Sequence, residues 1–474
     1  MNTTANRRTG GPADGFLERV GVTVGLAAVL LTAGPPVRLS AQDLRVRYET
    51  FTLPNGLQVI VHEDRSVPVV AVNIWYHVGS GDEHVGRTGF AHLFEHIMFM
   101  GSQHVPTGRF DQLLEAAGAD NNGSTTEDRT NYYEEGPSNS LGLMLYLDSD
   151  RMGYLIPEIT PDKVNLQRGV VENERRQRVD NQPYGLAEEN ILSRLYPAGH
   201  PYSWPVIGSM TDLEAASIED VRNFFRTWYV PNNATLVIAG AVTPAEGRQL
   251  ATRWFADVPK GSDVSRNAAP AAFSLPRDVY ATLEDRVQLP RVYNAWHTVK
   301  AFASDDAALD VLTDILASGR SSRLYQRLVY QMQIATQVTA YEDSKRVDGD
   351  LRIFATARPG HDLNELERVI NEEVGRIAAD GPTDREVERV RNQNEAQFLS
   401  RMETVLGKAD QLNYYNYFMG TPDYFQQDLG RYRRVAAADV QRVARQYLAD
   451  QHRVVLSVVP QGKTNLAATE GATP

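Results

Sequence analysis

VNIWYHVGSGDE, residues 72–83, is followed after a short gap by HLFEHIMFMG, residues 92–101, and the pair returns later in the chain. From Tyr293 the sequence reads YNAWHTVKAFAS, which sets Asn73 over Asn294 and Trp75 over Trp296. Three residues out of step, DVLTDILASG at 310–319 lies under the helical stretch. His92, Glu95 and His96 then meet Asp310, Thr313 and Asp314, and Gly101 meets Gly319. A strand, turn and helix recurring in this order point to an internal duplication. Two similar α/β halves facing each other are expected, and only the first carries the polar trio.

The flanking segments fill out each half. YETFTLPNGLQVIVHED at 48–64 alternates in the manner of strands, with Asn55-Gly56 as the turn. The stretch from Thr160 to Pro183 reads as a helix with Thr160 as N-cap and Pro161 in the first position, ending near Asn181. IEDVRNFFRTWYVPNN at 218–233 is a helix and a turn, and ATLVIAGAV at 234–242 a buried strand. VPKGSDVSRNAAPAA at 258–272 loses the apolar period and reads as the linker. The expected layout is a signal at 1–41, a first domain at 46–257, the linker, a second domain at 273–462 and a flexible tail at 463–474.

The chain has 474 residues, a formal net charge of −12 and no cysteine. Without a basic surface to neutralise phosphates, nucleic acid is not an expected partner. Arg7, Arg8 and Arg19 precede the apolar run at 20–33, Pro35 and Pro36 follow, and RLSAQD allows cleavage after Ala41. The run is short for a membrane span and has the flanks of a signal peptide. An exported, periplasmic or secreted protein follows, with no stable membrane span after cleavage. Lacking thiolates, it must hold any transition metal through His, Asp or Glu.

On a helix, positions i, i+3 and i+4 share a face, so His92 and His96 can aim at one point with Glu95 beside them. Two imidazoles so placed suit zinc, one ion per chain, with a third protein ligand and an open position. Zinc lowers the pKa of water to about 7, and Glu95 would act as general base. The alternative, two ordinary helix histidines and a solvated glutamate, would leave costly polar groups in an apolar helix. The third ligand should be an acid on another helix, and GVVENERRQ offers Glu172 and Glu174. These project about 200° apart around the helix, so at most one faces the metal. The pattern does not choose between them.

The inverted H-x-x-E-H motif, the preceding GSGDE and the following VVENERRQRVDNQPYG resemble the pitrilysin and mitochondrial-processing-peptidase family, the inverzincins. HPYSWPVIGS and YVPNNATLVIAGAV fit the same pattern, over nearly the whole chain from Tyr48 to Pro460. The resemblance implies an α+β fold of two homologous halves, each a mostly antiparallel sheet packed with helices, together half of a clamshell chamber. It places the third ligand at Glu174. It puts Gln167 where relatives usually carry a further glutamate on the same helix face, close to the metal ligands. It also implies an edge strand that pairs with the substrate backbone, here at Asn122, Gly123 and Ser124. Turn chemistry alone would read Asn122-Gly123 as a hairpin turn.

Active single-chain relatives carry an Arg and a Tyr after the SSRLYQRL pattern. Here those positions are Val329 and Thr336, with Arg327, Tyr330 and Tyr341 nearby but out of register. The implied function is a zinc endopeptidase acting on peptides or unfolded polypeptide segments. The implied partner is a family member that carries the Arg/Tyr pair, with a homodimer as the alternative. A non-catalytic scaffold, or a maturation protease dedicated to one peptide, are the competing functions. Loss of a ligand or of the base would mark the scaffold, and none is lost.

Overall fold

The computed structural model describes residues 45–266 and 270–471. The export signal at 1–41, residues 267–269 of the linker and residues 472–474 of the tail lie outside the described residues.

Two sheets organise the chain. The first contains β1 (Glu49–Thr52), β2 (Gln58–Glu63), β3 (Val69–Tyr76), β4 (Asp120–Thr125), β5 (Thr130–Pro137) and β6 (Ala234–Gly240), in the order β1-β2-β6-β3-β5-β4. The second contains β7 (Val279–Asp285), β8 (Arg291–His297), β9 (Ala335–Ser344), β10 (Gly349–Ala357) and β11 (Val454–Pro460), in the order β7-β11-β8-β10-β9. The five strands from β2 to β6 and the five from β7 to β11 share one topology. In each, the first strand runs parallel to the last and every other pairing is antiparallel. The overlay of Asn73 on Asn294 falls on equivalent strands, since both sit on the strand flanked by β6 and β5 or by β11 and β10. The fold is α+β with two like halves, as the repeat implies.

Asn55-Gly56 forms the expected turn between β1 and β2. Gly56 has a left-handed φ of 92°, and a Cβ there would lie 2.7 Å from Asn232 Cβ. Asn55 Nδ2 donates to the carbonyls of Phe255 (2.7 Å) and Val258 (2.9 Å), which pins the turn to the end of the first half.

β6, ATLVIAG, is buried along its whole length, the pattern of a strand covered on both faces. One face packs on helices of the first half, through Leu93, Phe94, Leu145 and Phe225. The other is covered from the second half. Val405, Ala409, Leu412 and Tyr415 of the Val405–Met419 helix pack on Ile60, Ala71, Val237 and Ala239. The exchange is mutual, because Ile191, Leu192 and Leu195 of the Ala187–Leu195 helix pack on Ala295, Val454, Leu456 and Val458 of the second sheet. Each sheet is thus roofed by a helix from the other half, and the described residues form one compact unit.

The two halves are therefore expected to unfold in a single transition. Leu412→Ala, at a fully buried position on the borrowed helix, should cost about 2–5 kcal/mol. It should lower the melting temperature of that one transition without splitting it, as calorimetry would show.

The segment read as a flexible tail is ordered through its first residues. Thr464–Leu466 forms a 3-10 turn, and Ala467 and Ala468 are buried in the second core. The N–H of Ala468 donates to Ser457 Oγ (3.0 Å) and that of Thr469 to Asn364 Oδ1 (2.9 Å). Small side chains let this strand of backbone lie flat on the sheet, which composition does not reveal.

Candidate metal centre

The Phe90–Ile97 helix buries Leu93, Phe94 and Ile97. Phe94 stacks on Phe224, with ring centroids 5.3 Å apart, and on Phe225 at 5.9 Å. This apolar anchoring turns His92, Glu95 and His96 to the opposite face. The Pro161–Arg175 helix packs alongside. Thr160 caps it as expected, its side chain accepting from the N–H of Lys163, and Pro161 occupies the first position. A π-type turn, Arg176–Asp180, continues it to the predicted end.

Glu174, in the last turn of that helix, meets the histidines. Its Oε2 is 3.2 Å from His96 Nε2 and 3.7 Å from His92 Nε2. One nitrogen from each ring and one carboxylate oxygen lie within 4.8 Å of one another, and among the described residues this is the one such group able to hold a metal ion. The two imidazole rings are nearly perpendicular, at 86° with centroids 4.9 Å apart. Glu172 stands elsewhere, 3.3 Å from Arg176. The second oxygen of Glu174 is held by Arg178 Nη1 at 2.5 Å. That pairing at i+4 is legible in principle from NERRQR, yet nothing in the pattern marks it as functional.

The donor set fits a zinc ion. Two nitrogens and one oxygen converge from two rigid helices, and each side chain is mostly shielded from solvent, 13% and 24% exposed for His92 and His96 and 15% for Glu174. Burial, and then the neighbouring His96, hold His92 down at about 4. Its ring is the neutral, lone-pair-bearing form that binds metal.

Glu95 is not part of the converging group. Its Oε2 accepts a 2.6 Å hydrogen bond from Thr125 Oγ1, at the end of β4. Burial pushes its carboxyl above the usual range, and the Thr125 hydroxyl pulls it back. Thr125 carries no sequence signal, because the contact joins elements 30 residues apart.

β4 is the outer strand of its sheet and pairs with β5 alone. Asn122, Gly123 and Ser124 sit within it, opposite Tyr133, Tyr132 and Asn131. The hairpin turn that Asn122-Gly123 suggests is therefore not made there. The chain reverses at 126–129 instead, where Thr126 Oγ1 accepts from the N–H groups of Asp128 (3.3 Å) and Arg129 (3.2 Å). Arg129 Nη1 also donates to the Ser124 carbonyl at 2.8 Å. A Cβ at Gly123 would lie 3.2 Å from Glu95 Cγ, so the bare backbone there lets the strand run directly beside the acid.

Gln167 is buried and donates to Met100 Sδ rather than to any of the three converging residues. In the second half, Val329 packs on the core and Thr336 Oγ1 donates to the Thr356 carbonyl (3.2 Å). Arg327 is tied to Glu372 (2.6 Å) and Glu373 (2.8 Å), which commits its charge within its own half. Asp310, the counterpart of His92, accepts from Tyr432, and burial pushes its carboxyl up to about 7.

Residues 58–206 match the family model described as insulinase (peptidase family M16), and residues 215–394 match the one described as peptidase M16 inactive domain. The zinc protease PqqE of Helicobacter pylori is 28% identical over 447 residues, covering 92% of this chain and 98% of that protein. A probable mitochondrial-processing peptidase subunit beta of Arabidopsis thaliana is 26% identical over 442 residues, covering 89% of this chain and 79% of its own length. The crystal structure of a protease from Helicobacter pylori superposes with a TM-score of 0.80 at 26% identity, over 88% of this chain and all of that one. Both halves are matched, in order and in topology: the chain belongs to the insulinase family of peptidases, family M16.

Proposed function

We propose that the chain is a zinc-dependent endopeptidase that cleaves peptides or extended polypeptide segments, and that it is the zinc-bearing subunit of a heterodimer. The observation that carries this reading is the meeting of His92, His96 and Glu174 beside Glu95 and the open edge of β4. His92 Nε2, His96 Nε2 and Glu174 Oε2 would hold the ion, and Arg178 keeps the carboxylate turned towards the histidines. Zinc in that place supplies Lewis acidity, polarising a carbonyl and acidifying water.

The remaining work belongs to the chain. Glu95, fixed through Oε2 by Thr125, has its other oxygen free to take a proton from water and return it to the leaving amine nitrogen. The edge of β4 that pairs with no strand, at Asn122, Gly123 and Ser124, would take an extended peptide, which replaces Asn122 Oδ1 on the Gly123 N–H (2.8 Å) and shares the Ser124 carbonyl with Arg129. Only a segment free of its own secondary structure can add to that edge.

Val329 and Thr336 lack the cationic and phenolic groups that would steady a developing oxyanion, a role worth several kcal/mol in comparable sites. A partner whose second half retains them would complete the site, and one relative bears the name of a subunit. Among the described residues, no helix is long and apolar enough to cross a membrane, and the reading includes export, with a mature N-terminus near Gln42.

The test is peptide cleavage by the mature chain, alone and with a family member whose second half carries the Arg/Tyr pair. Activity should vanish with a zinc chelator and return with zinc, and the partner should raise it at least ~10²-fold. Cleavage that persists in chelator defeats the metallopeptidase reading. Full zinc-dependent activity of the isolated chain, unchanged by any partner, defeats the heterodimer alone.

A further inference from the structure

The turn GSGDE at 79–83 lies just ahead of the ligand helix, and neither metal binding nor proton transfer uses it. The Phe90–Ile97 helix opens at Gly89, which has a left-handed φ of 87° and no side chain to cap the first turn. The first N–H groups of a helix have no partner inside it, and a polar N-cap side chain commonly accepts from one of them. Here a residue from outside the helix takes over. Glu83 Oε2 accepts from the N–H of Gly89 (2.9 Å), and Glu83 Oε1 accepts from the N–H of Ala91 (2.7 Å). Glu83 is only 5% exposed.

The same turn grips the hairpin that carries β4. The N–H of Ser80 donates to the Thr126 carbonyl (3.1 Å) and that of Gly81 to the Glu127 carbonyl (2.8 Å). A Cβ at Gly79 would come within 2.3 Å of Thr126 O, so this approach requires glycine. Asp82 turns the other way, to the N–H of Gly79 (3.2 Å) and to Arg346 of the second half (3.2 Å). The helix has eight residues, and His92 stands in its first turn, next to Ala91. One short turn therefore holds both the start of the ligand helix and the end of the edge strand.

We propose that Glu83 is a positioning residue: by binding the N–H groups of Gly89 and Ala91 it fixes the first turn of the helix, and with it the imidazole of His92, relative to β4. The inference rests on the reading of His92 as a metal ligand. In Glu83→Gln the carbonyl oxygen keeps one of the two N–H partners, while the amide nitrogen faces the other, donor against donor. The turn loosens without losing its packing.

On the full chain, competition with a chromogenic chelator should show zinc bound ~10–100-fold more weakly by Glu83→Gln, with the far-UV circular dichroism unchanged. The cobalt-substituted variant should show shifted visible absorption, because the bands report where the ligands point. A role in stability alone would lower the melting temperature and leave affinity and spectrum as they were, and that result overturns the proposal. Should Glu83→Gln not fold, Glu83→Asp, one methylene shorter with both carboxyl oxygens kept, takes the same measurements, and wild-type values there overturn it equally. His92→Ala separates the two levels. Zinc retained by His92→Ala defeats the reading of His92 as a ligand, whereas zinc lost there but bound normally by Glu83→Gln defeats only the role of Glu83.

Discussion

Glu95→Gln is expected to keep its zinc and lose at least ~10² in turnover. Glu95 lies outside the group of side chains that converge on one point, so its loss removes no ligand. The glutamine carbonyl can still accept from Thr125 Oγ1 and hold the side chain in place. What the amide cannot do is take up a proton from water. Metal analysis and peptide cleavage on one preparation check both halves of this outcome. Near-normal cleavage by the zinc-loaded variant would remove Glu95 from the mechanism.

The second large effect concerns the third ligand. Glu174→Gln should weaken zinc binding by at least ~10²-fold, beyond the 10–100-fold typical of a residue that only supports a ligand. It discards the anionic donor and leaves the Arg178 guanidinium without its counter-charge beside the histidines. Glu172→Gln should leave zinc in place, since Glu172 pairs with Arg176 away from the site. The reverse result would mean that the helix turns its other face to the metal.

His92, Glu95 and His96 were legible because a helix repeats fast enough for three residues of one short motif to share a face. Glu174 was not separable from Glu172 by pattern, because which face of the helix turns inward depends on packing against another element. Family resemblance pointed to it, and its Oε2 lies 3.2 Å from His96 Nε2 and 3.7 Å from His92 Nε2. Thr125 and Glu83 show the limit more sharply. Each meets the Phe90–Ile97 helix through a contact that no local period encodes.

At Asn122-Gly123 local turn chemistry and tertiary pairing disagree, and the ladder to β5 prevails, helped by the Thr126 turn just beyond it. The duplication was visible in Asn73, Trp75 and their counterparts, and the shared strand order bears it out. The exchange of covering helices was not visible. Leu412 and Leu195 look like ordinary helix core in sequence, and only the fold shows that each serves the opposite sheet.

X-ray diffraction recorded on both sides of the zinc absorption edge, from crystals of the zinc-loaded chain, would locate the metal and its ligands. One anomalous peak per chain is expected, within bonding distance of His92 Nε2, His96 Nε2 and a Glu174 carboxylate oxygen, about 2.0–2.2 Å. A peak held by other residues, or none at this site in a chain that retains its zinc, would contradict it.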